Sequence, residues 1–224
     1  MSRPNSTREH YQTYVWFLEA AEKGNPYAQF NLGLLYKKGE CVERDYGSAF
    51  KWLREAALQG IAYAQNHLGS LYYNGRGVEQ DDAEAAHWFR KAAEQGDPSA
   101  QQNLGQMFRR GRGVEQNDEL AFAWFYRAAE QGVPSAQALL GECYLQGLGV
   151  PANTALALAW LRKAAVQGER SAQHNLGLMY KYGQGVDASD VLATGWFRHA
   201  AEQGSPCAQR MMGLAYLEGG GVRA

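Results

Sequence analysis

The sequence predicts an all-α fold, a solenoid of helix pairs built from 36-residue repeats. Three observations carry this prediction: the spacing of the tryptophans, the recurrence of short motifs at the same spacing, and the absence of insertions between copies. The six tryptophans are Trp16, Trp52, Trp88, Trp124, Trp160 and Trp196. An Ala-Gln pair, a Leu-Gly pair (Met-Gly in the last copy), an aromatic residue and a glycine share their period. A strict period of this length is the signature of stacked repeats.

The first helix of each repeat begins the pattern. Ala28, Leu32 and Tyr36 recur at i, i+4 and i+8, which places them on one face of a helix. Gly33 lies inside this helix, where glycine costs roughly 0.5–1 kcal/mol relative to alanine. Its return in every copy predicts a close helix crossing. Gly39 follows the last periodic residue, as a C-terminal glycine does.

The second helix of each repeat follows a short linker and has its own start and stop residues. One column, meaning the residues that share a position in successive repeats, contains only good N-caps: Asp45, Asp81, Asn117, Asn153 and Ser189. Ala49, Trp52 and Ala56 then recur at helical spacing, and Gly60 ends the helix. We expect the tryptophan column to be a stripe of the core. Together the two patterns predict about twelve helices.

The repeats divide the chain into a half-repeat at about 8–24, five full repeats over about 25–204, and a half-repeat at about 205–224. Because the period is unbroken, we expect residues 1–224 to form a single solenoid that is stabilised by contacts between neighbouring repeats.

These residues resemble the Sel-1-like repeat (SLR) family, which is related to the tetratricopeptide repeat. The resemblance is carried by Ala-Gln-x-x-Leu-Gly-x-x-Tyr-x-x-Gly-x-Gly-Val followed by Ala-x-x-Trp and Ala-Ala-x-x-Gly, over about residues 12–222. It implies a right-handed superhelix of antiparallel helix pairs. It also implies a non-enzymatic role as an adaptor or scaffold in protein–protein interaction, by analogy rather than by derivation.

Composition excludes several other classes of protein. Basic and acidic residues nearly cancel, with a net charge of −1, so bulk charge favours neither nucleic acid nor a membrane surface. No apolar stretch is long enough to span a membrane, and residues 1–5 lack the apolar core of a signal peptide. The three scattered cysteines favour a reducing compartment. We therefore expect a cytoplasmic protein, or a periplasmic or secreted one if a signal peptide was removed.

The sequence offers little catalytic chemistry. Ser48 and Lys51 fit S-x-x-K, the acylating motif of penicillin-recognising enzymes, but neither Lys-Thr-Gly nor Ser-Asp-Asn accompanies it. The five histidines form no zinc motif. We expect no catalytic residue, metal site or cofactor. The alternative is a cell-wall-linked penicillin-binding or β-lactamase-like hydrolase, by analogy with the cysteine-rich branch of the family.

Two further expectations concern single columns. The glutamine column (Gln29 and its five copies) does not vary, which favours a structural hydrogen bond over ligand contact. Cys41 stands where every other copy has the second linker glycine. If those glycines need a positive φ, Cys41 holds an unfavourable conformation.

A binding site in a solenoid should lie in columns that the fold leaves free. Comparison with tetratricopeptide repeats places the variable face of the first helices on the inner, concave surface. We predict that another protein binds there through an extended or helical segment, acidic and partly apolar, because aromatic anchors beside arginines are common in interfaces. The predicted contact residues are Tyr27, Phe30, Leu34, Lys37, Lys38, Tyr63, Asn66, Tyr73, Gln102, Arg109 and Arg110.

Overall fold

The computed structural model describes residues 4–218 and the side chains of residues 11–217. The described chain is an all-α solenoid of twelve helices without strands, so the predicted fold class is confirmed. The helices are α1 (Pro4–Glu22), α2 (Pro26–Lys38), α3 (Tyr46–Leu58), α4 (Ala62–Asn74), α5 (Asp82–Glu94), α6 (Pro98–Arg110), α7 (Asp118–Glu130), α8 (Pro134–Gln146), α9 (Thr154–Val166), α10 (Arg170–Tyr182), α11 (Asp190–Glu202) and α12 (Pro206–Glu218). Helix α1 begins at Pro4, four residues before the start of the predicted N-terminal half-repeat.

The helices form two compact units, one ending at Gln116 and the other beginning at Asn117. In the first unit, the helices pack in chain order, from α1 against α2 to α5 against α6. In the second unit, the same is true of α7 to α12, and α8 also contacts α10. In both units, even-numbered helices are the first helices of the repeats, and odd-numbered helices are the second helices.

The predicted caps are confirmed. The Asn25 side chain accepts a hydrogen bond from the Ala28 amide at 3.0 Å, and Gly39 ends α2 in the left-handed conformation with φ 74°. In all five second helices with a predicted N-cap, that side chain accepts from a backbone amide in the first turn. These caps satisfy amides that have no partner within their helix.

The glycines inside α2, α4, α8 and α10 lie at close crossings with the second helices that follow. A Cβ atom at Gly33 would lie 2.7 Å from Leu53 Cγ, and one at Gly69 would lie 2.8 Å from Phe89 Cδ1. Gly141 and Gly177 face Leu161 and Phe197 in the same way. The predicted close crossing is therefore confirmed at these four positions.

The expectation that the tryptophan column forms a stripe of the core is wrong. Trp88 is buried, whereas Trp16 is 64% exposed and the other four are half-buried. The core stripe is the next residue, represented by Leu53 and Phe125, which are fully buried. Trp52, Trp160 and Trp196 lie instead at the edge of the core clusters. A basic side chain commonly covers a tryptophan ring: Lys163 Nζ lies 4.1 Å from the Trp160 centroid.

The glutamine column forms the structural hydrogen bonds that its constancy predicts. Gln65 is buried and donates from Nε2 to the Ala57 carbonyl at 3.1 Å, while its Oε1 accepts from Gln95 Nε2 at 2.7 Å. One side chain thus links two second helices across the first helix between them. Gln29, Gln137 and Gln173 make both of the same bonds.

The crossing glycines give a prediction about stability. We expect Gly69→Ala to lower the free energy of unfolding by about 1–3 kcal/mol, because the added methyl meets Phe89 and the Ala85 carbonyl. Gly195→Ala in α11 is the matched control, since a Cβ there meets nothing within 4 Å. It should raise stability by roughly 0.5–1 kcal/mol. Urea denaturation measures both, and equal effects would contradict the close crossing.

A second prediction concerns Cys41, whose φ is 65°, while Gly77 at the same position has φ 73°. Because a side chain disfavours this conformation by about 1–2 kcal/mol, Cys41→Gly should raise the melting temperature. Cys41→Ser removes the thiol but keeps the Cβ, so it should leave the melting temperature nearly unchanged. A lower melting temperature for Cys41→Gly would show that the left-handed conformation carries no strain.

Candidate binding surface

The predicted contact residues all lie on α2, α4 and α6, the first helices of the first unit. Side chains of adjacent first helices meet at a recurring separation of 37 residues. Asn103 Nδ2 donates to Asn66 Oδ1 at 3.0 Å, and Arg110 Nη1 lies 3.5 Å from the Tyr73 hydroxyl. The Phe30 and His67 rings stack with their centroids 5.9 Å apart. We call this surface the α2–α4–α6 face.

Aromatic and basic side chains cluster where α2 meets α4. The Phe30 ring lies between two rings of α4, with its centroid 6.3 Å from that of Tyr63 and stacked on His67. Lys37 Nζ lies 2.9 Å from His67 Nδ1. We call Phe30, Lys37, Tyr63 and His67 the His67 cluster. It brings three predicted residues together around one that the sequence analysis did not select.

Burial and charge set the protonation of the His67 cluster. Burial, together with the charges of Lys37 and Lys38, lowers the pKa of the His67 imidazole to about 4. Burial, with Arg76 and Lys38, also lowers the pKa of the Lys37 ammonium. A neutral imidazole can accept a hydrogen bond at Nδ1, so Lys37 donates to His67 near neutral pH.

A pocket of about 340 Å³ opens between α4 and α6. We call it the α4–α6 pocket. Its apolar lining includes Phe89 and Met107, both buried. Its polar lining consists of hydroxyl, carboxamide and guanidinium groups from Ser70, Tyr73, Asn74, Gln102, Asn103, Gln106, Arg110 and Arg112. The pocket therefore offers many hydrogen-bond donors and acceptors but no lining carboxylate.

The two arginines of the α4–α6 pocket have different surroundings. Arg112 binds Asp82 through two hydrogen bonds of 2.7 and 2.9 Å, and its guanidinium lies 4.0 Å from the Tyr73 ring centroid. The hydrogen bond from Arg112 lowers the pKa of the Asp82 carboxyl. Arg110 is exposed, and no carboxylate of the described residues forms an ion pair with it. Arg110 is thus the cation available to a ligand.

The remaining predicted residues fit the face less closely. Tyr27 is 66% exposed, and Leu34 is half-buried on the same helix. Lys38 is exposed and pairs with Glu40 at 3.6 Å. Arg109 is half-buried in the last turn of α6, next to Arg110. These residues lie on the same helices but belong neither to the His67 cluster nor to the α4–α6 pocket, apart from the sequence neighbour Arg110.

The sequence analysis missed several lining residues. His67 and Asn103 belong to one column, which also contains Asn31 and Asn175. Polar residues in four of six copies were a usable signal that this column is not part of the core. Ser70, Asn74 and Gln106 come from the α4 and α6 sides of the pocket. Ser70 and Gln106 share the column of Leu34, and Asn74 shares that of Lys38, so the candidate face is wider than the predicted columns only by the column of His67 and Asn103.

The S-x-x-K residues have structural contacts. A hydrogen bond with Ser48 lowers the pKa of Asp45, the N-cap of α3. The Lys51 ammonium lies 4.9 Å from the Trp52 ring centroid. Among the residues searched, no group of three or more His, Cys, Asp or Glu side chains is placed to hold a metal ion. None of the described helices has the length and apolarity needed to cross a membrane.

Comparisons with known proteins agree with this architecture. The sequence pattern of the family described as the Sel1 repeat matches residues 10–25, 26–61, 62–97, 98–133, 134–169, 170–205 and 208–224. A comparison with curated proteins gives no match.

Solved structures similar to the chain include c5321, a protective antigen of uropathogenic Escherichia coli with an SLR fold. It is 41% identical, with a TM-score of 0.84, over 92% of this chain and 44% of that one. A Sel1 repeat protein of Oxalobacter formigenes is 39% identical, with a TM-score of 0.78, over 90% of this chain and 58% of that one. The chain therefore spans about half the length of both relatives.

The His67 cluster predicts a pH dependence of stability. The pKa of His67 is about 4 in the folded chain against 6.5 for a free imidazole, so the unfolded chain binds more protons between these values. The free energy of unfolding should therefore fall as pH drops from about 6.5 towards 4. His67→Gln should weaken this fall, measured as melting temperature between pH 7 and pH 5.

The control for this prediction is His87→Gln, because His87 is exposed on α5. It should keep the wild-type pH dependence. His174 is a separate contributor of the same sign, since burial also lowers its pKa. A pH profile of His67→Gln identical to that of the wild type would show that His67 titrates alike in both states.

Proposed function

Because the chain belongs to the Sel1 repeat family, we propose that it is a non-enzymatic scaffold whose α2–α4–α6 face binds a segment of another protein. Sel1 repeat proteins are generally protein-interaction scaffolds. The chain covers about half the length of two similar solved proteins. That it binds a partner protein is therefore part of the proposal. A cytoplasmic location remains a prediction.

The α4–α6 pocket is the observation that carries the proposal. An extended peptide presents one N–H donor and one C=O acceptor per residue, and each loses water on binding. Carboxamides offer both donors and acceptors. Asn74, Gln102, Asn103 and Gln106 bring four carboxamides to one pocket of about 340 Å³. Such a lining suits a peptide backbone better than a purely apolar ligand.

Charge and aromatic surface support a more specific ligand. Arg110 is exposed at the pocket and has no carboxylate partner among the described residues, so an Asp or Glu of the ligand can form a bidentate pair with it. Tyr63 is 62% exposed beside Phe30, which offers apolar surface at the α2 side. An acidic and partly apolar segment fits both features.

The experiment is a selection of displayed peptides on the 224-residue chain, followed by affinity measurements on enriched peptides. We expect enrichment of Asp or Glu together with an apolar residue, and binding that weakens with added salt. Arg110→Ala should lower affinity about tenfold or more, since a hydrogen bond to a charged group contributes about 1.5–3 kcal/mol. Phe30→Ala should also weaken binding, with helicity retained.

Arg198→Ala is the matched control, because Arg198 is exposed on α11 in the second unit. Its affinity should equal that of the wild type. If Arg110→Ala and Phe30→Ala both bind as tightly as the wild type, the α2–α4–α6 face is not the site. Loss of binding in Arg198→Ala would instead point to the second helices.

A further inference from the structure

A second pocket, of about 420 Å³, opens between α8 and α10 in the second unit. We call it the α8–α10 pocket. It combines two leucines with three carboxamides and a hydroxyl, and none of its lining side chains is charged. The α8–α10 pocket therefore differs in chemistry from the α4–α6 pocket, which contains two arginines. Its lining residues are Leu145, Gln146, Thr154, Asn175, Leu178 and Gln184.

The α8–α10 pocket occupies the same place in its repeats as the α4–α6 pocket does two repeats earlier. All of its lining residues except Thr154 are copies of residues that line the α4–α6 pocket. Asn175 keeps the residue type of its copy Asn103, whereas Leu178 stands in the position of Gln106. Comparison of the two pockets, position by position, therefore shows which ligand chemistry the second one has lost and gained.

The charged side of the α4–α6 pocket has become neutral in the α8–α10 pocket. Gln184 occupies the position of Arg112, and Thr154 occupies that of the carboxylate that binds this arginine. Tyr182 occupies the position of Arg110, the cation available in the first pocket. A ligand carboxylate would therefore lose water in the α8–α10 pocket without gaining an ion pair with a lining side chain, and such a loss is unfavourable.

Two leucines give the α8–α10 pocket an aliphatic wall. Leu145 and Leu178 are both half-buried, and each packs against core clusters of the second unit. In the α4–α6 pocket, Tyr73 and Gln106 hold these two positions. Because the core already fixes the leucines, their remaining surface can cover an apolar side chain with little further loss of rotamer freedom. The wall therefore suits a large aliphatic side chain, which gains free energy when it leaves water.

Polar groups beside the leucines suit a peptide backbone. Gln146 and Gln184 are exposed, and each carboxamide offers both donors and an acceptor. The Asn175 amide is oriented by Glu142, because its Nδ2 donates to Glu142 Oε1 at 3.3 Å. An extended segment presents one N–H and one C=O per residue, which these carboxamides can bind. The Glu142 carboxylate, next to the lining, also disfavours an acidic ligand.

We propose that the α8–α10 pocket is a second binding site, for an extended segment of another protein that carries a large aliphatic side chain and no acidic residue. Leu145 and Leu178 cover the aliphatic side chain, while Gln146, Asn175 and Gln184 bind the backbone of the segment. The site does not rest on the α2–α4–α6 face, because its residues belong to the other unit and bind by different chemistry. One chain thus offers two sites of different specificity.

The test is a selection of displayed peptides on the 224-residue chain that carries Arg110→Ala, which removes the available cation of the α4–α6 pocket. Enriched peptides should contain Leu, Ile or Met with little Asp or Glu, and added salt should leave their affinity unchanged. In this parent, Leu178→Gln should lower the affinity about tenfold, because a polar group replaces an aliphatic contact. Gln146→Ala combined with Gln184→Ala should also weaken binding, and the fold should be retained because both glutamines are exposed.

The matched control is Leu192→Gln, because Leu192 is 48% exposed on α11 and does not line the α8–α10 pocket. It should bind the peptides like the Arg110→Ala parent, and circular dichroism checks the fold of every variant. The proposal is overturned if no peptide is enriched, if the enriched peptides are acidic, or if both pocket variants bind as tightly as the parent. An equal loss of affinity in Leu192→Gln also overturns it, since the contact would then lie outside the pocket.

Discussion

Within each unit, the repeats depend on one constraint, the close approach of α2, α4, α8 and α10 to the second helices that follow them. A side chain is absent at Gly33, Gly69, Gly141 and Gly177, and a Leu or Phe of the neighbouring helix occupies the space where a Cβ would lie. Glycine is unfavourable inside a helix, so its presence there shows that packing at the crossing outweighs backbone propensity. The crossing also sets which residues are buried: Leu53 lies in the core, while its neighbour Trp52 is only half-buried.

The glutamine column links neighbouring repeats by hydrogen bonds, in addition to the packing at the crossing glycines. Gln65 holds the Ala57 carbonyl of one second helix and the Gln95 carboxamide of the next, so the repeats are linked by buried hydrogen bonds as well as by packing. Satisfied buried carboxamides fix the separation of neighbouring helices, since leaving such groups without partners costs about 1–3 kcal/mol each. With stability secured by these columns, residues such as Phe30 and Arg110 can differ between repeats without loss of the fold. Variation on the α2–α4–α6 face is therefore compatible with a rigid support beneath it.

The sequence predicted the helices, the caps and the crossing glycines because each depends on neighbouring residues and recurs from repeat to repeat. The left-handed Cys41 followed from the same comparison of copies. The tryptophans were placed wrongly because a period shows that a contact recurs, not how deeply it is buried. Of the side chains that meet on the candidate face, the sequence pattern selects Phe30, Tyr63 and Tyr73 but not His67 or Asn103. Their contacts depend on the rotation of adjacent first helices, which brings residues 37 apart together, and no single helix pattern contains that information.

The two ends of the α2–α4–α6 face differ in a way that bears on the proposed function. At the α2 end, the Phe30 and Tyr63 rings lie beside Lys37, which donates to His67, so the surface there combines aromatic rings with a cation that already has a partner. At the α6 end, Arg110 is exposed beside a lining of carboxamides. An extended segment that crossed this face would gain most from apolar contact at one end and from an ion pair at the other. Such a gradient favours one chain direction, because only a segment with its apolar residue at the α2 end meets the Phe30 and Tyr63 rings while its carboxylate pairs with Arg110.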